Sequence, residues 1–96
     1  MRFARKIVLH CRRRDMPRFD EMVEQFLKAG VVYIGVVGQD CSRVEDIIDE
    51  LVVGDGTDQD RFILTASHEG ETLEDAVLFA LSLTDEYAGE VQVIEI

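Results

Sequence analysis

Four short apolar runs alternate with stretches of helical periodicity along this chain, and that alternation leaves few folds open. The runs are Ile7-Val8-Leu9, Val31 to Val37, Phe62 to Thr65 and Val91 to Ile96. Between them Phe19, Met22, Val23, Phe26 and Leu27 repeat at helical spacing, as do Val44, Ile47, Ile48, Leu51 and Val52. Leu73, Ala76, Val77, Ala80 and Leu81 form a third such stripe. Strands alternating with helices predict an α/β domain, βαβαβαβ, with a mostly parallel sheet and right-handed crossovers. The unbroken apolar character of the first three runs implies burial on both faces, hence three layers. A Rossmann-like or flavodoxin-like four-stranded sheet in the order 2-1-3-4 meets these constraints. Val91-Gln92-Val93-Ile94-Glu95-Ile96 is mixed and suits an edge. Val31 to Val37 is apolar for the opposite edge, and a second copy of the chain covering it would account for that.

Local punctuation supports the same division. Asp15 and Pro17 suit the entry to the first helix, and Gly30 its exit. Ser42-Arg43-Val44-Glu45 reads as a capping box opening the second helix, which Gly54 closes. The third helix starts near Thr72, with Asp75 as capping partner, and runs on to Gly89. Leu78, Phe79, Leu83 and Tyr87 widen its apolar arc beyond what one sheet face needs.

Length and composition narrow the class. A chain of 96 residues with 47% hydrophobic content forms one domain, residues 1–96, without needing disulfides or a structural metal. The basic N-terminus is followed by only three apolar residues before His10, too few for a signal-peptide core. No run approaches the roughly 18 apolar residues of a membrane span. The expected location is the cytoplasm, with Cys11 and Cys41 as reduced thiols. The net charge of -10 disfavours nucleic acid and anionic membrane as partners. Seven of the ten cations fall within the first 18 residues, opposed only by Asp15. That distribution predicts a basic patch for an anion on an otherwise acidic body.

Three polar clusters follow the first three strands: His10-Cys11, Asp40-Cys41 and Ser67-His68-Glu69. In a parallel sheet they share the carboxyl edge, where ligands of α/β proteins bind at the point of strand-order reversal. In the 2-1-3-4 order that point lies between strands 1 and 3. Cys11, beside Arg12, Arg13 and Arg14, is the candidate nucleophile, and His68 the candidate acid–base. His10, Arg12, Arg13, Asp40, Cys41, Ser67 and Glu69 are the candidate ligand-binding residues. A zinc set of Cys11, Cys41 and His68 is conceivable, but no close-spaced ligand pair anchors one, so no metal and no cofactor are expected. Asp55, Thr57, Asp58 and Asp60 lack EF-hand spacing and read as a turn. No glycine-rich phosphate cradle is present.

In the position of Cys11 the chain resembles low-molecular-weight tyrosine phosphatases and phosphocarrier IIB domains. The phosphatase motif needs arginine six residues after the cysteine, where this chain has Pro17. The IIB loop is small and glycine- or serine-rich, where this chain has Arg12-Arg13-Arg14-Asp15. Neither activity therefore carries over. Tyr33 to Cys41 and Phe62 to His68 resemble a family of short bacterial proteins of unknown function, which implies a stand-alone domain and no particular activity.

Three functions follow as expectations. The first is a non-enzymatic, homodimeric interaction or small-anion-binding domain. The second is a cysteine-dependent enzyme acting on an anionic substrate through Cys11 and His68. The third is an acidic, antidote-like protein that masks a basic partner.

Overall fold

The computed structural model describes residues 3–12, 18–57 and 61–96. Its elements are β1 (Lys6–Cys11), α1 (Phe19–Ala29), β2 (Tyr33–Gly38), α2 (Cys41–Val53), β3 (Leu64–Ser67), α3 (Leu73–Ser82), a 3-10 turn (Asp85–Tyr87) and β4 (Val91–Glu95). The four strands form one all-parallel sheet, so the α/β class and the alternation hold.

The strand order is β3-β2-β1-β4, not 2-1-3-4. Burial gives the reason. Tyr33, Ile34, Val36 and Val37 are all buried, and a strand covered on both faces belongs in the middle of a sheet. With β2 central, its apolar run no longer calls for a partner at an edge. The order now reverses between β1 and β4, which moves the expected ligand crevice there.

Parity along the strands sorts the core into two clusters. Ile7, Leu9, Cys11, Ile34 and Val36 face α1 and α2, packing on Phe19, Val23, Phe26, Val44 and Ile48. Val8, Tyr33 and Val37 face α3, packing on Ala76 and Ala80. The three-layer expectation is met, with two helices on one face and one on the other.

Helix ends differ in instructive ways. Gly30 closes α1, its N–H returning to the carbonyls of Leu27 and Phe26. Asp15 and Pro17 lie outside the described residues, and Arg18 is the residue preceding α1. The Ser42–Glu45 capping box does not form. The cap of α2 is Asp40, with no side-chain capping bond. Ser42 and Glu45 instead reach β3 and its following loop, donating to Glu69 and accepting from Thr65 respectively. Thr72 and Asp75 do form the box that opens α3. That helix ends at Ser82, short of Gly89.

Two cations reach the carbonyl ends of helices, buried Lys6 at α3 and half-buried Arg61 at α2, the latter also closed by Gly54, whose N–H returns to Glu50 O. Lys6, 1% exposed, turns its amine to the carbonyl oxygens of Ala80 and Leu83 at the end of α3, at 2.6 and 3.5 Å. Arg61 donates to Val52 O and Leu51 O at the end of α2, and its Nη1 lies 2.8 Å from Glu24 of α1. Both place positive charge where a helix dipole is negative. Among the described residues no helix is long and apolar enough to cross a membrane.

Candidate functional site

The carboxyl edge does collect all three polar clusters, but it divides them between the two faces of the sheet. Odd-numbered positions of β1 face α1 and α2, so Cys11 sits in that cluster, 4% exposed. Cys41, the first residue of α2, is buried in the same cluster. His68 is on the other face. It is 5% exposed and packs edge-on to Phe79 of α3, with ring centroids 5.2 Å apart. The sheet therefore separates Cys11 from His68, and the two do not form a nucleophile–base pair.

The Cys11 thiol is also the wrong kind of thiol for attack. Burial, then the neighbouring Cys41 and Asp40, push its pKa up from 9.0 to about 11. A reactive cysteine needs the opposite shift. Of the three arginines expected to lower it, Arg12 points to Glu95 on β4, with Nη1 3.2 Å from the carboxylate, and Arg13 and Arg14 lie outside the described residues. The result expected is very slow alkylation of the folded protein by iodoacetamide at pH 8, and fast alkylation in strong urea. The sign on stability follows. A folded-state pKa raised above the unfolded value contributes stability that is full below pH 9 and is lost as pH rises toward 11. Rapid modification of Cys11 in the native state, mapped by mass spectrometry, would contradict this placement.

His68 is held on both ring nitrogens. Its Nδ1 lies 3.5 Å from a Glu71 oxygen, and its Nε2 lies 3.2 Å from the Tyr33 hydroxyl. The carboxylate can only accept, so in the neutral imidazole Nδ1 carries the proton and Nε2 accepts from Tyr33. Tyr33 is fully buried, and burial, then Glu71, push its pKa up to about 12. Glycine makes this geometry fit. Tyr33 and Gly35 share a face of β2, and a Cβ on Gly35 would stand 2.7 Å from the Tyr33 oxygen. The Glu71–His68–Tyr33 chain is thus a strut under α3, with its inner members closed to substrate. Sequence reasoning missed Tyr33 and Glu71. The signal was Tyr33-Ile34-Gly35, a large polar aromatic two residues before a glycine in a strand.

The remaining candidates are placed as follows. His10 faces α3, in register with Val37 on one side and Glu95 on the other. Its Nδ1 is buried and has no hydrogen-bond partner among the described residues. Asp40 is exposed in a left-handed conformation at the start of α2. Ser42, the residue after the second cluster, has its Oγ 3.4 Å from Ser67 Oγ and 3.1 Å from Glu69, so it meets the third cluster on the α2 side. Arg13 lies outside the described residues. Among the described residues, no three His, Cys, Asp or Glu side chains come together to hold a metal ion, so the set Cys11, Cys41 and His68 is not assembled.

Only part of the expected basic patch falls within the described residues. Of its seven cations, Arg5, Lys6, Arg12 and Arg18 are described, and each meets the protein's own acceptors. Arg5 donates to Ala88 O and Glu86 O, Lys6 to α3, Arg12 to Glu95 and Arg18 to Glu21. The point of strand-order reversal is bridged as well. Arg12 N donates to Ile96 O and Ile96 N to His10 O, at 2.9 and 3.0 Å.

With this geometry in hand, the kinship of the chain is informative mainly in its breadth. The model of a family described as a domain of unknown function, DUF7684, matches residues 1–96. The chain belongs to that family. No curated protein and no solved structure matches it.

Proposed function

We propose that this protein is a non-catalytic interaction module that pairs with a second copy of itself through the outer side of α3. One observation carries the reading. Leu78 and Leu81, at helical neighbour spacing, stand 57% and 56% exposed on α3. Val93, which is on the same sheet face because it pairs with Val8, is 41% exposed. Exposed apolar side chains thus stand on both the helix and the β4 edge of this face. That edge has no proline or lysine to discourage pairing.

Charge is compatible with a symmetric pair despite the net -10. The acids of α3, Glu74 and Asp75, are confined to its first turn. Two copies crossing antiparallel at Leu78 and Leu81 put those acids at opposite ends of a ten-residue helix, about 15 Å long. That distance exceeds the Debye length of about 8 Å at physiological salt. The Cys11–His68 enzyme reading has no geometric support, and in the anion-binding reading each described cation already has an acceptor of the chain beside it. The two free thiols suit a reducing compartment such as the cytoplasm.

The test is a double variant, Leu78→Glu with Leu81→Glu, examined by light scattering and circular dichroism. Both positions are more than half exposed, so the fold should be unchanged while self-association falls at least tenfold. Unchanged association in the variant would remove α3 as the contact.

A further inference from the structure

A second surface, on the opposite face of the sheet, has a different chemistry. An open groove of about 730 Å³ lies along the C-terminal half of α2, with Glu24 of α1 at its border. Ile47, Leu51 and Val53 give it apolar walls, and Glu24, Asp49 and Glu50 give it an acidic rim. We propose that this groove docks a basic amphipathic segment of a partner protein, with an apolar side chain seated against Ile47 and Val53 and lysine or arginine at the rim.

Charge complementarity selects this occupant. Helices α1 and α2 together carry seven acids, Asp20, Glu21, Glu24, Glu45, Asp46, Asp49 and Glu50, against Lys28 and Arg43. Arg61 is the one cation in the lining among the described residues, and its guanidinium is engaged by Leu51 O, Val52 O and Glu24. It therefore fixes the groove's shape without offsetting Asp49 and Glu50. A second copy would bring acid to acid, and nucleic acid is repelled. The apolar walls separate this surface from an ordinary solvated acidic face, because they reward an amphipathic ligand over a merely basic one. Val53 is 49% exposed at the groove, so an apolar anchor has surface to cover. This inference goes beyond pairing through α3 and does not depend on it.

The test uses the full chain and two synthetic peptides of 15 residues. One places leucine and lysine at helical spacing. The other carries the same lysines with serine in place of leucine. Binding is read by fluorescence anisotropy at physiological salt and mapped by amide chemical shifts. The leucine-containing peptide should bind at least tenfold more tightly than the serine peptide, with shifts concentrated at Glu24, Ile47 to Gly54 and Arg61. Glu50→Lys should weaken binding at least fivefold, and so should Val53→Ser. Leu78→Glu should leave it unchanged, which keeps this site distinct from the α3 surface. Equal affinity for the two peptides, spermine competing as well as the leucine peptide, or shifts spread over the whole acidic surface would each overturn the proposal. Absence of binding would do the same.

Discussion

Replacing Lys6 by alanine should destabilise the fold by about 3 kcal/mol, combining lost charged hydrogen bonds with a cavity. For a domain of this size that corresponds to a melting temperature lower by roughly 12–24 °C. The amine is 1% exposed and meets carbonyl oxygens rather than a carboxylate. Its compensation for desolvation is the negative end of α3 together with those acceptors. Helix α3 has no glycine at its end, and Leu83 turns into an extended conformation, so Lys6 is the device that closes it. Lys6→Met separates the two contributions. It fills the space and removes the charge, and a cost of about 2 kcal/mol would be the price of the buried carbonyls left without their donor. A neutral or stabilising methionine, measured by urea denaturation, would mean the amine contributes nothing.

Gly38→Ala should be at least as damaging, about 3 kcal/mol, through strain and a backbone collision together. Gly38 has φ of +103°, a region that residues with a Cβ rarely adopt. An added Cβ would run into the Cys11 carbonyl oxygen, which also accepts from Gln39 N at 2.9 Å. Relief requires parting the carboxyl end of β1, which holds Cys11, from that of β2. Gly70→Ala is the matching control. Its φ is +77° and nothing lies within 4 Å of the added Cβ. It should cost only the conformational part, about 1 kcal/mol. Equal losses at the two positions, by thermal denaturation, would show that the contact with Cys11 does not matter.

These two positions also show what the sequence made legible. The apolar runs and helical stripes announce the α/β class, because burial on both faces demands unbroken strands. They do not announce strand order. Val31 to Val37 is equally apolar as a covered edge or as a central strand, and only pairing of β2 with both β1 and β3 decides it. The three polar clusters do share an edge, since every parallel strand ends on the same side. Whether Cys11 meets His68 depends on parity and on which face each helix takes. Cys11 closes an odd-numbered row facing α1 and α2, while His68 lies under Phe79 of α3. The basic segment misled for a related reason. Lys6 and Arg5 read as surface charge, but each closes the chain's own backbone carbonyls. The Ser42–Glu45 motif has capping spacing, yet tertiary partners on β3 and its loop claim both side chains.

In the proposed pair, α3 presents Leu78 and Leu81 to a second copy of the chain. Sedimentation equilibrium of the wild-type protein, from low micromolar to several hundred micromolar at physiological salt, addresses it most directly. The predicted result is a mass that rises with concentration and levels at two chains. A mass of one chain across the whole range would contradict it.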